Sequence, residues 1–165
     1  MGKSMVTFLA VGILLIAFAW AIGGNEITDY TSYYFKCLIG QTAKVEIKNQ
    51  VIKAEVVKST KAKAKGLSHR RNLPKDKGML FVFDQADKYE FWMKDMKIPL
   101  DIIWINDGKV VDISRGVFPP VAGSEPVRVK PTKSVKEILE VYSGVGQNWQ
   151  IGDQVNITFG RILGL

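Results

Sequence analysis

The stretch YEFWMKDMKIPLDIIWIN, from Tyr89 to Asn106, holds two of the four tryptophans of the chain. In its first half Tyr89, Phe91 and Met93 alternate with Glu90 and Trp92. This alternation places the first three side chains on one face and the other two on the opposite face, which is the periodicity of a β-strand. We therefore predict a strand over residues 89–93 with one apolar face.

The second half of the stretch predicts another, more buried strand over residues 100–105, LDIIWI. Charged residues at positions 94, 95 and 97 separate the two strands, and Pro99 follows them. Because proline fixes its own φ and disfavours helix at the residue before it, the break predicts a kink or crossing.

Strand patterns also occur before this stretch. Residues 44–48 and 51–57 alternate polar and apolar side chains around Asn49-Gln50, which predicts a hairpin. Residues 78–83 form a short apolar run that is typical of a buried strand. Between them, Thr60 to Asn72 is rich in Lys and Ala and precedes Pro74, so it predicts a helix with Thr60 as its cap.

After the stretch, Asp107-Gly108 predicts a tight turn into a strand over residues 110–113. Residues 118–126 contain three prolines and predict a surface loop. Residues 138–142 allow two interpretations: Ser134 with Glu137 could open a helix as a capping box, whereas ILEVY before Ser143-Gly144 favours a strand, which we predict. A last strand over residues 155–157 follows a Gly-Asp turn.

The predicted fold class is α+β and mostly β: a small antiparallel, barrel-like sheet with one or two short helices. The predicted domain organisation has three parts: a membrane anchor or signal peptide over residues 1–24, a juxtamembrane linker over residues 25–42 and the globular domain over residues 43–165.

The N-terminal part rests on an apolar run from Met5 to Ile22. As a helix it would be about 27 Å long, enough to cross the hydrocarbon core of a bilayer. Lys3 precedes the run and Glu26 and Asp29 follow it, so the positive-inside bias places the following domain outside the cytoplasm. The same residues also resemble a secretory signal, so the predicted location is membrane-anchored outside the cytoplasm, or secreted.

The formal net charge of +7 in 165 residues is concentrated in one segment. Nine Lys or Arg and two acidic residues lie between Lys53 and Lys77, which gives nine minus two, or +7, and leaves the rest neutral overall. The segment is compatible with a solvated surface, and also with binding to an anionic lipid or wall polymer. It contains no aromatic residue on which bases could stack, so we predict no nucleic-acid partner.

A single Cys and a single His limit the chemistry. They are too few for a zinc site or an intramolecular disulfide, and we predict no metal and no cofactor. His69 lies among cations in SHRR, without a carboxylate beside it in the sequence, so we interpret it as an ordinary, partly exposed side chain.

Several segments resemble the bacterial and archaeal family called domain of unknown function 192. The resemblance is carried by GLSHRRNL at residues 66–73, GMLFVF at 78–83, FWMK at 91–94, IPLDI at 98–102, ILEV at 138–141 with Gly144, and IGDQV at 151–155. It covers about residues 43–160. It implies a small β-rich, barrel-like domain, often exported, and supports a strand at residues 138–142. It implies no reaction, and the cysteines that many members carry in the loop at 118–126 are absent here.

Four residues of the central stretch are the candidate binding site: Trp92, Lys94, Asp95 and Asp101. An aromatic ring beside charged groups can hold a sugar or small polar ligand, because the ring supplies contact area and the charges fix orientation. The same residues are also compatible with a structural role, in which Trp92 fills a gap and Lys94 pairs with Asp101.

The functional prediction is a non-catalytic binding or accessory module of the cell envelope. The alternative is a weak hydrolase of envelope glycans that uses Asp95 and Asp101 as its two carboxyls, which must lie roughly 5–9.5 Å apart.

Overall fold

A computed structural model describes residues 41–161 of the protein. The predicted anchor or signal peptide and nearly all of the predicted linker lie outside these residues. The described part contains nine strands and one helix in this order: β1 (Gln41–Ile47), β2 (Gln50–Val57), α1 (Thr60–Lys65), β3 (Lys77–Asp87), β4 (Phe91–Trp92), β5 (Leu100–Asn106), β6 (Lys109–Val117), β7 (Arg128–Val129), β8 (Val135–Tyr142) and β9 (Val155–Arg161).

Seven strands form one sheet in the order β6-β5-β8-β3-β2-β1-β9, and β4 pairs with β7 in a separate two-stranded sheet. The mostly β, α+β prediction is confirmed. The large sheet is mixed, however, because β2 and β3 are parallel while all its other pairs are antiparallel. A parallel pair needs a crossover connection, and residues 58–76, which contain α1, supply it.

The large sheet curls without closing into a barrel. Its edge strands β6 and β9 meet at one isolated bridge, between Lys109 and Gln154. Next to this bridge, Val110 N–H donates to the carbonyl of Asp153 at 2.9 Å, and Val155 N–H donates to the carbonyl of Gly108 at 2.8 Å. The barrel-like character expected from the sequence is therefore limited to this one contact between the edges.

The two faces of the sheet carry two apolar clusters. The inner cluster lies inside the curl and draws on all seven strands and the turn after β8. Its buried members are Ala43, Val45, Ile47, Ile52, Ala54, Leu80, Ile103, Ile105, Val110, Leu139, Val141, Val145, Trp149 and Val155.

The outer cluster lies on the opposite face, under the crossover and the segment that contains β4. Its buried members are Leu67, Leu73, Met79, Phe81, Met93, Met96, Ile98, Leu100, Ile102, Trp104, Val117, Val135 and Ile138. Strands β3, β5 and β8 contribute alternate residues to the two clusters, and so they are covered by apolar contacts on both faces.

The helix is shorter than the sequence predicts. The prediction of helix from Thr60 to Asn72 is wrong beyond Lys65, because Gly66 adopts φ 48° and ends the helix. The capping residue is Ser59, whose side chain accepts from Ala62 N–H at 3.3 Å, in place of the predicted Thr60. Leu73 is nevertheless buried, as a loop residue of the outer cluster.

The central stretch keeps its predicted alternation in a shorter strand. Only Phe91–Trp92 is strand, yet Tyr89 and Phe91 pack against the outer cluster, Met93 is buried, and Glu90 and Trp92 are exposed. The second strand forms as predicted, since β5 spans Leu100–Asn106 with a buried run of side chains. The hairpin at Asp107-Gly108 and the strand over residues 138–142 are also confirmed.

Gly78 sets the close approach of β3 to its neighbours. A Cβ on Gly78 would lie 2.6 Å from the carbonyl oxygen of Glu140 and 3.1 Å from Ile52. The obstructing atom belongs to the backbone of β8, so it cannot move aside cheaply.

We therefore expect Gly78→Ala to lower the free energy of unfolding by about 1–3 kcal/mol, because the two strands must separate. Urea denaturation measures this value. The matched control is Gly160→Ala, since a Cβ there has no atom within 4 Å. Equal stability of the two variants would contradict this account of the β3–β8 contact.

Candidate functional site

A cavity of about 430 Å³ lies on the outer face, between the crossover and the segment around β4. This volume is within the usual range for small-molecule sites. Its lining residues come from α1 and the turn after it, from β3, from residues 89–96 and from β8: Thr60, Lys63, Ala64, Lys65, Gly66, Leu67, Ser68, Phe81, Phe83, Tyr89, Glu90, Phe91, Trp92, Met96 and Glu140.

Aromatic rings form the walls of the cavity. Phe83 stacks on Tyr89 with ring centroids 3.6 Å apart, and Phe81 meets the ring of Phe91 edge-on at 4.8 Å. The Tyr89 hydroxyl donates to the carbonyl of Gln85 at 2.6 Å, which fixes its ring. Since these rings hold one another, the walls are largely preformed for a flat or ring-shaped ligand.

Two hydrogen bonds hold the crossover against the segment around β4. The Ser68 hydroxyl donates to the carbonyl of Lys94 at 3.1 Å, and His69 N–H donates to the carbonyl of Asp95 at 2.9 Å. His69 and Asp95 both have positive φ, at 66° and 58°, so the bond between them joins two tight backbone turns. The cavity therefore lies between two segments whose relative position is fixed.

Glu140 contributes a buried carboxyl group from β8 to the cavity. The residue is 7% exposed, and its Oε2 has no hydrogen-bond partner among the described residues. Burial raises the pKa of Glu140 from 4.5 to about 8, an effect that the charge of Arg70 partly offsets. At pH 7 the carboxyl is therefore mostly protonated, and its O–H is available to an acceptor.

Arg70 is already committed to another acid. Its Nη1 and Nη2 donate to the two carboxylate oxygens of Glu55 at 2.6 and 2.7 Å. Glu55 is opposite Met79 in the β2–β3 pairing, and Met79 is opposite Glu140 in the β3–β8 pairing, so all three lie in one row across the sheet. The bidentate pair occupies Arg70, and Glu140 forms no salt bridge with any residue in the described range 41–161.

Trp92 lies at the rim of the cavity and is 44% exposed. The guanidinium of Arg128 lies 5.1 Å from its ring and the Lys94 ammonium 5.5 Å from it, both within cation–π range. Arg128 also forms an exposed ion pair with Glu90 at 2.7 Å. The predicted binding residues Trp92 and Lys94 are thus neighbours, although only Trp92 lines the cavity.

Lys63 covers one of the aromatic walls. Its Nζ lies 3.8 Å from the centre of the Phe83 ring. Burial lowers the pKa of the Lys63 ammonium, and the charge of Asp84 opposes that change. This cation belongs to the basic segment from Lys53 to Lys77, so part of that segment forms the cavity wall.

The carboxylate of Asp101 accepts hydrogen bonds from backbone N–H groups. It is buried on the inner face, where Oδ1 accepts from Gly116 N–H at 2.8 Å and Oδ2 accepts from Gly144 and Gly146 N–H at 2.9 and 3.2 Å. Arg115 reinforces the same turn by donating to the carbonyls of Gly146 and Trp149. The alternative role considered for Asp101, a pair with Lys94, is not the contact that forms.

The two carboxylates of the hydrolase alternative are not brought together in the described cavity. Asp95 is exposed in the turn after β4, and neither it nor Asp101 lines the cavity. Asp101 faces the inner cluster beside Gly146, on the other side of the sheet from Trp92. The arrangement therefore suits Asp101 to a structural role.

The sequence pattern did not indicate Glu140, Glu55 or Arg70 as site residues. Glu140 is the one charged residue within ILEV, and a lone acid inside an apolar strand was the signal that could have identified it. Arg70 belongs to the basic segment predicted to be solvated, and its two hydrogen bonds to Glu55 depend on how the crossover packs on β2, which the sequence pattern does not show.

We expect Asp101→Asn to lower the free energy of unfolding by about 2–4 kcal/mol, because an amide N–H would face backbone N–H groups and the charge-assisted bonds would be lost. Chemical denaturation measures the change. The control is the same substitution at exposed Asp95, which should cost less than about 0.5 kcal/mol. If both variants were equally stable, the three N–H bonds would not support the fold as described.

The raised pKa of Glu140 predicts a pH-dependent effect on stability. The unfolded chain loses this proton near pH 4.5 and the folded chain near pH 8, so the buried carboxyl costs stability as pH rises through this window. Glu140→Gln removes the titration. We expect the free energy of unfolding of Glu140→Gln, relative to that of the parent, to increase as the pH rises from 5 to 8. By pH 7 the gain should be roughly 3 kcal/mol.

Denaturation curves at several pH values test this expectation. Exposed Glu125→Gln serves as the control and should follow the parent at every pH. Parallel pH profiles for the parent and Glu140→Gln would show that the Glu140 carboxyl does not stay protonated on folding.

Residues 41–161 contain no group of three or more His, Cys, Asp or Glu side chains placed to hold a metal ion. They also contain no helix with the length and hydropathy needed to cross a bilayer. The run from Met5 to Ile22, on which the predicted anchor rests, lies outside them.

Comparisons with known proteins agree with the fold. No curated protein matches the chain. A crystal structure of a protein of unknown function from Novosphingobium aromaticivorans DSM 12444 is 27% identical, with a TM-score of 0.63 over 70% of this chain and 83% of that one. A candidate transcription regulator from Sinorhizobium meliloti 1021 is 23% identical, with a TM-score of 0.62 over 70% of this chain and 92% of that one, and this likeness shows the fold alone.

A family model matches most of the described region. It is the model of domain of unknown function 192, a family described as "Uncharacterized ACR", and it covers residues 42–159. The match includes every strand of the large sheet and the segments GLSHRRNL, FWMK and IPLDI noted above. The chain therefore belongs to the domain of unknown function 192 family.

Proposed function

We propose that this protein is a non-catalytic binding or accessory module of the cell envelope, and that its ligand site is the aromatic cavity on the outer face. The observation that carries the proposal is the Oε2 of Glu140, which has no hydrogen-bond partner within residues 41–161 and lies in a cavity walled by aromatic rings. A buried polar group without a partner is costly, and a ligand that hydrogen-bonds to it would remove that cost.

The cavity favours a small molecule with a ring. Phe83, Tyr89 and Phe91 supply apolar walls, and Trp92 supplies an exposed ring at the rim. Aromatic walls with a few polar groups are the usual composition of small-molecule sites, in which stacking provides contact area and hydrogen bonds fix orientation.

The envelope location is supported by the sequence. The apolar run from Met5 to Ile22, with Lys3 before it, would anchor or export the domain. The basic segment from Lys53 to Lys77 would face anionic lipid or wall polymer through its exposed cations, whereas its Arg70 is held by Glu55. Lys77 additionally lies 3.7 Å from Asp76.

Glycan hydrolysis by Asp95 and Asp101 is not favoured by any contact in the structure. The two oxygens of Asp101 are occupied by backbone N–H groups on the inner face. A general acid or base must reach the substrate within hydrogen-bond distance. The binding role is therefore the one we propose.

Trp92→Ala should weaken binding at this site by about tenfold or more, because the rim loses its stacking surface. The measurement is calorimetric titration of the full chain with ring compounds, namely glucose, N-acetylglucosamine, glucuronate, glucosamine, benzyl alcohol and benzoate. Every compound that binds the cavity should also raise the unfolding temperature of the parent protein.

The matched control is Phe118→Ala. Phe118 is more exposed than Trp92, at 66%, and does not line the cavity, so its loss should leave affinity unchanged. Absence of binding by every compound, or equal affinity in the parent and Trp92→Ala, would refute the proposed site.

A further inference from the structure

We propose that the ligand of this cavity is a ring-shaped molecule that carries a carboxylate. Uronic-acid sugars and small aromatic acids share this chemistry. The inference rests on the proposed function and specifies the ligand class of the same site.

The first support is the charge that remains on the cavity wall after ion pairs are counted. Glu90 lines the cavity and is paired with Arg128 at 2.7 Å. Lys63 and Lys65 also line it, both from α1, and neither forms a salt bridge in the described part of the chain. Asp84 acts on Lys63 electrostatically but is exposed and does not line the cavity. The wall thus favours an anion.

The second support is the protonation state of the buried Glu140 carboxyl, which lines the cavity. Glu140 is buried where a negative charge is disfavoured, so it presents an O–H donor and adds no charge that would repel an anion. Arg70, the cation whose charge acts on Glu140, is held by Glu55. A carboxylate accepts hydrogen bonds from both an ammonium and a protonated carboxyl, so Lys63, Lys65 and Glu140 are donors available to it.

The same contacts disfavour an amine. An ammonium ligand would add a positive charge beside Lys63 and Lys65, and Glu140 would have to lose its proton before it could pair with the ligand. The Phe83 ring, which could attract a cation, already has the Lys63 ammonium 3.8 Å from its centre. A neutral ring would pack against the walls without using either lysine.

The test compares compounds that share a ring and differ in charge, by calorimetric titration of the full chain at pH 7. The sugar series is glucuronate, glucose and glucosamine, and the aromatic series is benzoate and benzyl alcohol. In at least one series the carboxylate should bind about tenfold more tightly than its neutral counterpart. The series that shows binding identifies whether the ring is a sugar or an aromatic one.

The double variant Lys63→Gln with Lys65→Gln should lose most of this preference for the carboxylate. Lys61→Gln is its control, because Lys61 lies on the same helix, is exposed and does not line the cavity. Salt dependence in the parent protein needs no variant: raising NaCl from about 0.05 to 0.5 M should weaken binding of the carboxylate and leave the neutral ring compound unchanged.

The outcomes separate this inference from the proposed function. Equal or tighter binding of the neutral compound or the amine would overturn the inference and leave the binding site in place. A carboxylate preference that survives the double variant and high salt would also overturn it. Failure of all these compounds to bind would overturn both the inference and the proposed function.

Discussion

The buried carboxylate of Asp101 is the interaction on which the rest of the structure depends. It lies in β5 and accepts N–H groups from β6 and from the turn after β8, so one side chain joins the two partners of β5. The turn it holds carries Trp149, which is fully buried in the inner cluster. A carboxylate in this position is stabilised by three dipoles in place of water, which makes its removal more costly than that of an exposed acid.

The outer face of the sheet carries the cavity described above. The crossover between β2 and β3 passes over that face because a parallel pair cannot be joined by a tight turn. It brings α1 opposite the aromatic residues around β4, and the resulting space is lined by rings on one side and lysines on the other. The sheet therefore separates two functions of acidic residues: Asp101 maintains the fold, whereas Glu140 lines the cavity and its Oε2 has no hydrogen-bond partner among the described residues.

The features that sequence could predict were those set by neighbouring residues. Alternation placed Tyr89 and Phe91 on the buried side, and Asp107-Gly108 located a hairpin, because both depend on local geometry. The parallel β2–β3 pair could not be predicted, since its partner is chosen by packing across the sheet. For the same reason Asp101 was grouped with Trp92: they are close in sequence, but strand alternation directs Asp101 to the opposite face, and only the pairing with β6 and β8 shows what it holds.

The pairing of β1 has a spatial consequence for any attachment to this domain. Gln41 is opposite Arg161 in the β1–β9 register, and the same end of the sheet holds Val57 of β2 and Phe81 of β3, which are also opposite each other. The chain therefore enters through β1 and leaves through β9 at the end where the crossover and the cavity begin. A partner joined through either point would approach the end of the sheet that holds Val57 and Phe81, whereas the hairpin turn at Lys48-Asn49 lies at the opposite end of β1 and β2.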